Sequence, residues 1–115
     1  MSWILKVRDC FSAAHFLREY RGKCEKVHGH TFRVEVEIEV RELDRTGLGI
    51  DFTLIKNRLS EVLPDHKLLN DLYAFNPSAE NLARRFFEDL APDFPLKAVT
   101  VWESEDASAT YAPDR

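Results

Sequence analysis

Cysteine, glycine and methionine are scarce in this chain of 115 residues, which has two, four and one of them. The two cysteines, Cys10 and Cys24, are too few for a disulfide scaffold and read as free thiols of a reducing compartment. No apolar run approaches the roughly 20 residues that a membrane-crossing helix needs. The opening residues, MSWILKVRDCF, show no charged segment followed by a long apolar stretch and a small-residue cleavage site, so no secretory leader is expected. Both absences predict a cytoplasmic protein. Positive charge is not in excess either. A formal net charge of −4 argues against a nucleic-acid or membrane-surface partner, although it leaves room for a local cationic pocket. Repeats, low-complexity tracts and interdomain linkers are all missing. With 44% apolar residues the chain has enough to bury a core, and residues 1–115 are expected to form one domain.

What is present is a clear alternation of periods. Residues 3–15 read as a strand with Leu5, Val7, Phe11, Ala13 and His15 on one side, and Cys10 reads as packing within it. Residues 16–27 lose periodicity, carry Gly22 and read as a loop. From Thr31 the chain alternates strictly, with Phe32, Val34, Val36, Ile38 and Val40 set against Arg33, Glu35, Glu37, Glu39 and Arg41. Such a pattern belongs to a half-buried strand of an antiparallel sheet. After a turn at residues 44–49, a short strand is expected to include Ile50 and Phe52. A helix capped by Asp51 or Thr53 follows, with Ile55, Leu59, Val62 and Leu63 as its stripe and Pro64 as its stop. A second helix, capped by Asn76 or Ser78 with Pro77 in its first turn, buries Leu82, Ala83, Phe86, Phe87 and Leu90 and ends before Pro92. Residues 97–103 and 108–112 read as two more strands. The expected fold is α+β, an antiparallel four-stranded sheet with two helices packed on one face, in the order β-β-α-α-β-β.

Three histidines converge in this scheme. His28 and His30 share the parity of Phe32 and Val34, so both imidazoles point to the apolar side if the strand extends back that far. Side chains two apart on a strand start roughly 6.5–7 Å from each other, and two rings can lean toward one ion with bonds of about 2.0–2.1 Å. His15 closes the preceding strand on the same side and supplies a third nitrogen if the two strands pair. Three protein ligands with one open position form a catalytic rather than a structural zinc arrangement. Nitrogen donors suit zinc, and also iron, nickel or copper.

Other groups each carry two readings. Cys24, near Lys23 and the histidines, reads as a thiolate base or nucleophile, or else as an idle loop thiol or a fourth ligand. Glu25 reads by default as an exposed loop carboxylate. Asp65 beside His66 reads either as a carboxylate that orients an imidazole proton shuttle or as a turn former. Glu103 has the parity of Val99 and Val101. It reads either as the acceptor of a planar N–H/NH₂ edge or as a strand-end carboxylate turned to solvent or paired with an arginine. Arg8, Arg18, Arg21, Lys23 and Lys26 cluster in the N-terminal quarter, where they serve an anionic substrate or are ordinary solvated charges.

Together FSAAH (11–15), CEKVHGH (24–30), IDF (50–52), LPDHKLLN (63–70), NPSAENLA (76–83) and VWES (101–104) resemble, in order and spacing, the motifs of the 6-pyruvoyl-tetrahydropterin synthase family, which includes 6-carboxy-5,6,7,8-tetrahydropterin synthases of queuosine biosynthesis. The resemblance covers nearly the whole chain. It implies the tunnelling fold, with trimers that close a barrel and pair into homohexamers, and active sites between subunits. It implies Zn²⁺ on His15, His28 and His30, Cys24 as general base, Asp65 and His66 as a relay, and Glu103 as the anchor of a pterin ring. Ser78 stands where the family often has threonine, and keeps a hydroxyl for the substrate. The implied substrate is 7,8-dihydroneopterin triphosphate. Some relatives lack the cysteine and carry a glutamate three residues before HGH, acting on dihydroneopterin to make a folate precursor; this chain has both Cys24 and Glu25.

Two rivals belong to other classes. A cupin-like, non-catalytic metal module would use Gly22, His28, His30 and Glu35, but alternation puts Glu35 on the face opposite the histidines. A purely structural zinc domain would leave Cys24, His66 and Glu103 unexplained.

Overall fold

A computed structural model describes residues 1–22 and 26–113. Two 13-residue strands, β1 (Trp3–His15) and β2 (His28–Val40), form its centre. They pair antiparallel without a slip from Trp3↔Val40 to His15↔His28. The other edge of β2 takes β4 (Leu96–Trp102), with one irregularity at Glu37/Ile38, and β4 pairs with β5 (Ser108–Tyr111). Helices α1 (Phe52–Val62) and α3 (Ala79–Leu90) pack on the apolar side. Phe11 and Phe32 stack at 4.9 Å between ring centroids, and Phe86 of α3 meets Phe11 edge-on at 5.7 Å. Val34, Val36, Ile38, Val99 and Val101 are buried beside them. Each such side chain contributes about 1.5–3 kcal/mol when fully removed from water.

The helix caps follow the sequence closely. Asp51 accepts the Thr53 N–H at 2.9 Å, and Ser78 Oγ accepts the Asn81 N–H at 3.2 Å. Of the two candidates at each helix, these are the caps. Pro77 lies just ahead of the cap rather than in the first turn. Along α1, Ile55 and Leu59 are fully buried, and Val62 and Leu63 are partly buried over the same core.

Four expectations need correction. The sheet is mixed and has five strands, in the order β3-β1-β2-β4-β5, because β3 (Lys67–Leu68) runs parallel to β1 at Ala13 and Ala14. Among the described residues there are three helices, the extra one being α2 (Leu69–Leu72). The added strand has a plain cause. Ser12 N–H donates to Asp65 Oδ1 at 2.8 Å while Ser12 O accepts the His66 N–H at 2.6 Å, which draws residues 65–68 alongside β1. The third correction concerns Ile50 and Phe52, which form no strand; Phe52 already belongs to α1. The fourth concerns Cys10, which is exposed rather than packed, since it shares the parity of Lys6, Arg8 and Ser12 on the outer face.

Candidate metal centre and its surroundings

Pairing of β1 with β2 brings the three histidines together. His15 lies opposite His28, and His30 lies opposite Ala13, so all three rings project to the helix side of the sheet. Their centroids are 4.6, 5.2 and 4.8 Å apart, each pair edge-on, with Phe32 5.4 Å from both His15 and His30. The His15 side chain is 1% exposed.

Ring orientation is set by main-chain oxygens. His15 Nδ1–H donates to the Pro77 carbonyl at 2.7 Å, and His28 Nδ1–H donates to the Lys26 carbonyl at 2.7 Å. These bonds assign the tautomers, so in the neutral rings both Nε2 atoms carry lone pairs. Yet His15 Nε2 and His28 Nε2 are 3.0 Å apart. Two lone pairs at that distance repel unless a positive charge lies between or beside them. Nitrogens held on one tetrahedral zinc would be roughly 3.3 Å apart, given bonds of about 2.0–2.1 Å. Burial holds the His30 imidazole below its ordinary value of 6.5; the Glu103 carboxylate works in the other direction, and His15 and His28 add to the lowering. His30 is therefore neutral near pH 7 and able to act as a ligand. Its Nε2 is buried without a hydrogen-bond partner. It lies 3.1 Å from Glu103 Oε1, close enough for a hydrogen bond but not aligned for one. The donor set thus fits a metal ion: ligand atoms of His15, His28, His30 and Glu103 all lie within 4.8 Å of one another.

Asp65 and His66 occupy the edge of the sheet nearby. The Ser12 N–H, and after it a hydrogen bond from His66, keep the Asp65 carboxyl below the usual carboxylate range. Asp65 Oδ2 accepts from His66 Nδ1 at 2.8 Å, which turns Nε2 outward. His66 has φ +56°, a left-handed conformation that a histidine adopts only when its surroundings hold it there. His66 lines an open groove of about 590 Å³ with Ser12, Ala14, Gly29 and Thr31, whose parity is that of the outer face; His30 borders it as well, although its ring projects to the helix side.

The sequence-predicted residues therefore divide. His15, His28 and His30 converge, and Glu103, read as a ring anchor or a strand-end carboxylate, reaches their cluster. Asp65 and His66 do touch. Ser78 Oγ serves as the α3 cap. Cys24 and Glu25 lie outside the described residues. Glu35 faces away and pairs with Arg8 at 2.7 Å, so the cupin-like donor set does not form.

Several supporting groups gave no sequence signal. Besides the Pro77 and Lys26 carbonyls, two side-chain amides brace the segment after His15. Asn70 accepts the Phe16 N–H and donates to the Phe16 carbonyl, both at 3.0 Å. Asn76 does the same for Arg18, at 2.7 and 2.9 Å. Both residues lie within quoted motifs, and Asn76 is read there as a cap candidate, but an amide paired with main chain follows no period, so the pattern does not mark this bracing role.

A mixed sheet covered by helices on one side, with a metal-type histidine cluster at one end, defines the class of protein. Comparisons with known proteins narrow it. Residues 4–114 match the family described as 6-pyruvoyl tetrahydropterin synthase. The chain is 40% identical over 106 residues to a putative 6-carboxy-5,6,7,8-tetrahydropterin synthase of Archaeoglobus fulgidus, covering 90% of each chain. It is 34% identical over 105 residues to a dihydroneopterin monophosphate aldolase of Pyrococcus furiosus, covering 86% of this chain and 88% of the other. Its fold superposes on 6-pyruvoyl tetrahydropterin synthase of Caenorhabditis elegans with a TM-score of 0.87 at 28% identity, over 99% and 97% of the two chains. The chain belongs to the 6-pyruvoyl tetrahydropterin synthase family, a family of enzymes, and its function is of the tetrahydropterin synthase type.

Proposed function

We propose that this chain is a zinc-dependent 6-carboxy-5,6,7,8-tetrahydropterin synthase acting in queuosine biosynthesis. The reaction takes 7,8-dihydroneopterin triphosphate and water to 6-carboxytetrahydropterin, acetaldehyde and triphosphate, with cleavage of one carbon–carbon bond. One observation carries the metal half of this reading: two imidazoles tied by Nδ1 to main-chain oxygens present their Nε2 atoms to each other at 3.0 Å. Similarity to the Archaeoglobus fulgidus protein favours the carboxy-forming branch over the pyruvoyl branch, which eliminates triphosphate without that cleavage.

Bound zinc supplies Lewis acidity that polarises a substrate hydroxyl. The remaining work falls to side chains. His15, His28 and His30 hold the ion. Cys24 removes a proton as thiolate. His66, held by ionised Asp65 with Nε2 outward, takes up or returns a proton. Glu103 receives the N–H/NH₂ edge of the pterin through two parallel hydrogen bonds. Ser78 Oγ, while it accepts from α3, still has its hydroxyl proton to donate to substrate. Residues 1–115 act in this reading as one pterin-synthase domain of a cytoplasmic homohexamer, a dimer of trimers. The outer strands β3 and β5 bound the sheet, and no helix among the described residues is long and apolar enough to cross a membrane.

A second reading, cleavage of dihydroneopterin to 6-hydroxymethyldihydropterin for folate, is favoured by Glu25 beside Cys24 and by similarity to the Pyrococcus furiosus aldolase. Incubating purified protein with dihydroneopterin triphosphate and, separately, with dihydroneopterin separates the two. Acetaldehyde with carboxypterin supports the first. Hydroxymethylpterin, lost in Glu25→Ala, supports the second. Turnover of neither compound refutes both.

A further inference from the structure

Glu103 has an arrangement that the role of ring anchor does not explain. Its main chain is fixed where the turn between β4 and β5 closes, the Glu103 N–H donating to the Ala107 carbonyl at 3.1 Å. From there Oε1 reaches to 3.1 Å from His30 Nε2 and 4.0 Å from His15 Nε2. A carboxylate oxygen beside a ring nitrogen should form a hydrogen bond, yet the buried His30 Nε2 has none. Whichever nitrogen of His30 bears the proton, the contact is wasted as a hydrogen bond. It makes sense when both atoms are aimed at a common third point. The nearby Nε2 atoms of His15 and His28 indicate the same point. Three imidazoles and one carboxylate make a four-donor set of the kind zinc accepts.

Such a set conflicts with ring anchoring. Two parallel hydrogen bonds to a planar N–H/NH₂ edge need both carboxylate oxygens in the plane of that edge. Oε1 cannot aim at the histidine cluster and lie along the ring edge at once. The side chain is 32% exposed, so an incoming ring can reach it. We infer that Glu103 is a displaceable fourth metal ligand: it occupies the last coordination position in the resting protein and gives it up when a pterin ring takes the carboxylate. The position used by the substrate hydroxyl would then open only when substrate is present. The inference rests on the pterin-synthase reading above, and extends it by coupling recognition of the ring to access to the metal.

Cobalt(II) loaded into metal-free protein provides the test, because its visible absorption reports the number and type of ligands. Neopterin, a pterin without the triphosphate, serves as the probe. The wild-type spectrum should change on saturation with neopterin. Glu103→Gln and Glu103→Ala should bind cobalt at least about tenfold more weakly, and their spectra should differ from wild type before any pterin is added. Circular dichroism establishes that both variants are folded. Superimposable spectra and equal cobalt affinities in wild type and Glu103→Gln would overturn the inference, as would a wild-type spectrum that saturating neopterin leaves unmoved. Either result in a protein that turns over dihydroneopterin triphosphate discards the ligand role alone. Absence of turnover with a Glu103-dependent spectrum discards the functional reading and keeps the ligand role.

Discussion

The chain has four histidines, and the structure uses them in two ways. His15, His28 and His30 sit on the helix side of the sheet, with His15 and His28 tied to main-chain oxygens, and they present nitrogens to one another. His66 stands at the sheet edge with its side chain 83% exposed and its partner a carboxylate. A carbonyl partner fixes a tautomer and leaves the far nitrogen as a ligand. In the proposed function the same side chain is a metal ligand in one setting and a proton carrier in the other; what separates the two settings in the structure is clustering with other imidazoles against exposure at the sheet edge beside a carboxylate.

The comparison breaks most visibly at His15. His15→Ala should lose more than about a hundredfold in metal affinity, beyond the 10–100-fold typical of outer-sphere partners, with turnover abolished and the fold retained. Equilibrium dialysis with zinc and circular dichroism check this; undiminished binding would refute the cluster as a metal site. His66→Ala should behave in the opposite sense. Metal content stays at the wild-type level while kcat falls about a hundredfold, the lower end of what a positioned acid or base contributes. Metal loss in that variant would merge the two groups of histidines into one.

Acid should separate them as well. His30 has a lowered pKa, so the folded chain favours the neutral ring. Its contribution to stability is present above the ordinary value of 6.5 and declines as pH falls below it, when only the unfolded chain takes up the proton. Asp65, also lowered, contributes above the ordinary carboxylate value of 3.8 and loses that contribution as pH falls through its folded value. Urea titrations of metal-free protein should therefore show two descending steps. His30→Gln should remove the upper step, and Asp65→Asn should shrink the lower, which Asp44, also held low by its hydrogen bond from Thr46, shares; a single step unaffected by either change would contradict the assignment. The smallest effect is expected at Ser78. Ser78→Ala removes the α3 cap and should cost about 1 kcal/mol by urea unfolding, leaving metal affinity unchanged.

Much of this was legible from residue order. The alternation from Phe32 to Val40 gave β2 its inner face, and extending that parity back to His28 and His30 placed both rings correctly. The caps at Asp51 and Ser78 were among the candidates because their oxygens can satisfy free N–H groups. β3 and α2 were hidden, since a two-residue strand has no period. What creates it is a pair of hydrogen bonds around Ser12 and the left-handed conformation of His66, neither of which hydrophobic spacing encodes. Glu103 was placed on the right face by its parity with Val101. How near it comes to His30 depends on the turn at Glu103–Ala107 and the pairing of β2 with β4, which parity does not measure.

The oxygens that steer His15 and His28 belong to peptide groups, and this separates coordination from side-chain identity at those places. Replacing the side chain of Lys26 leaves a carbonyl in the same position, so a change of residue there leaves the acceptor that turns the His28 ring in place.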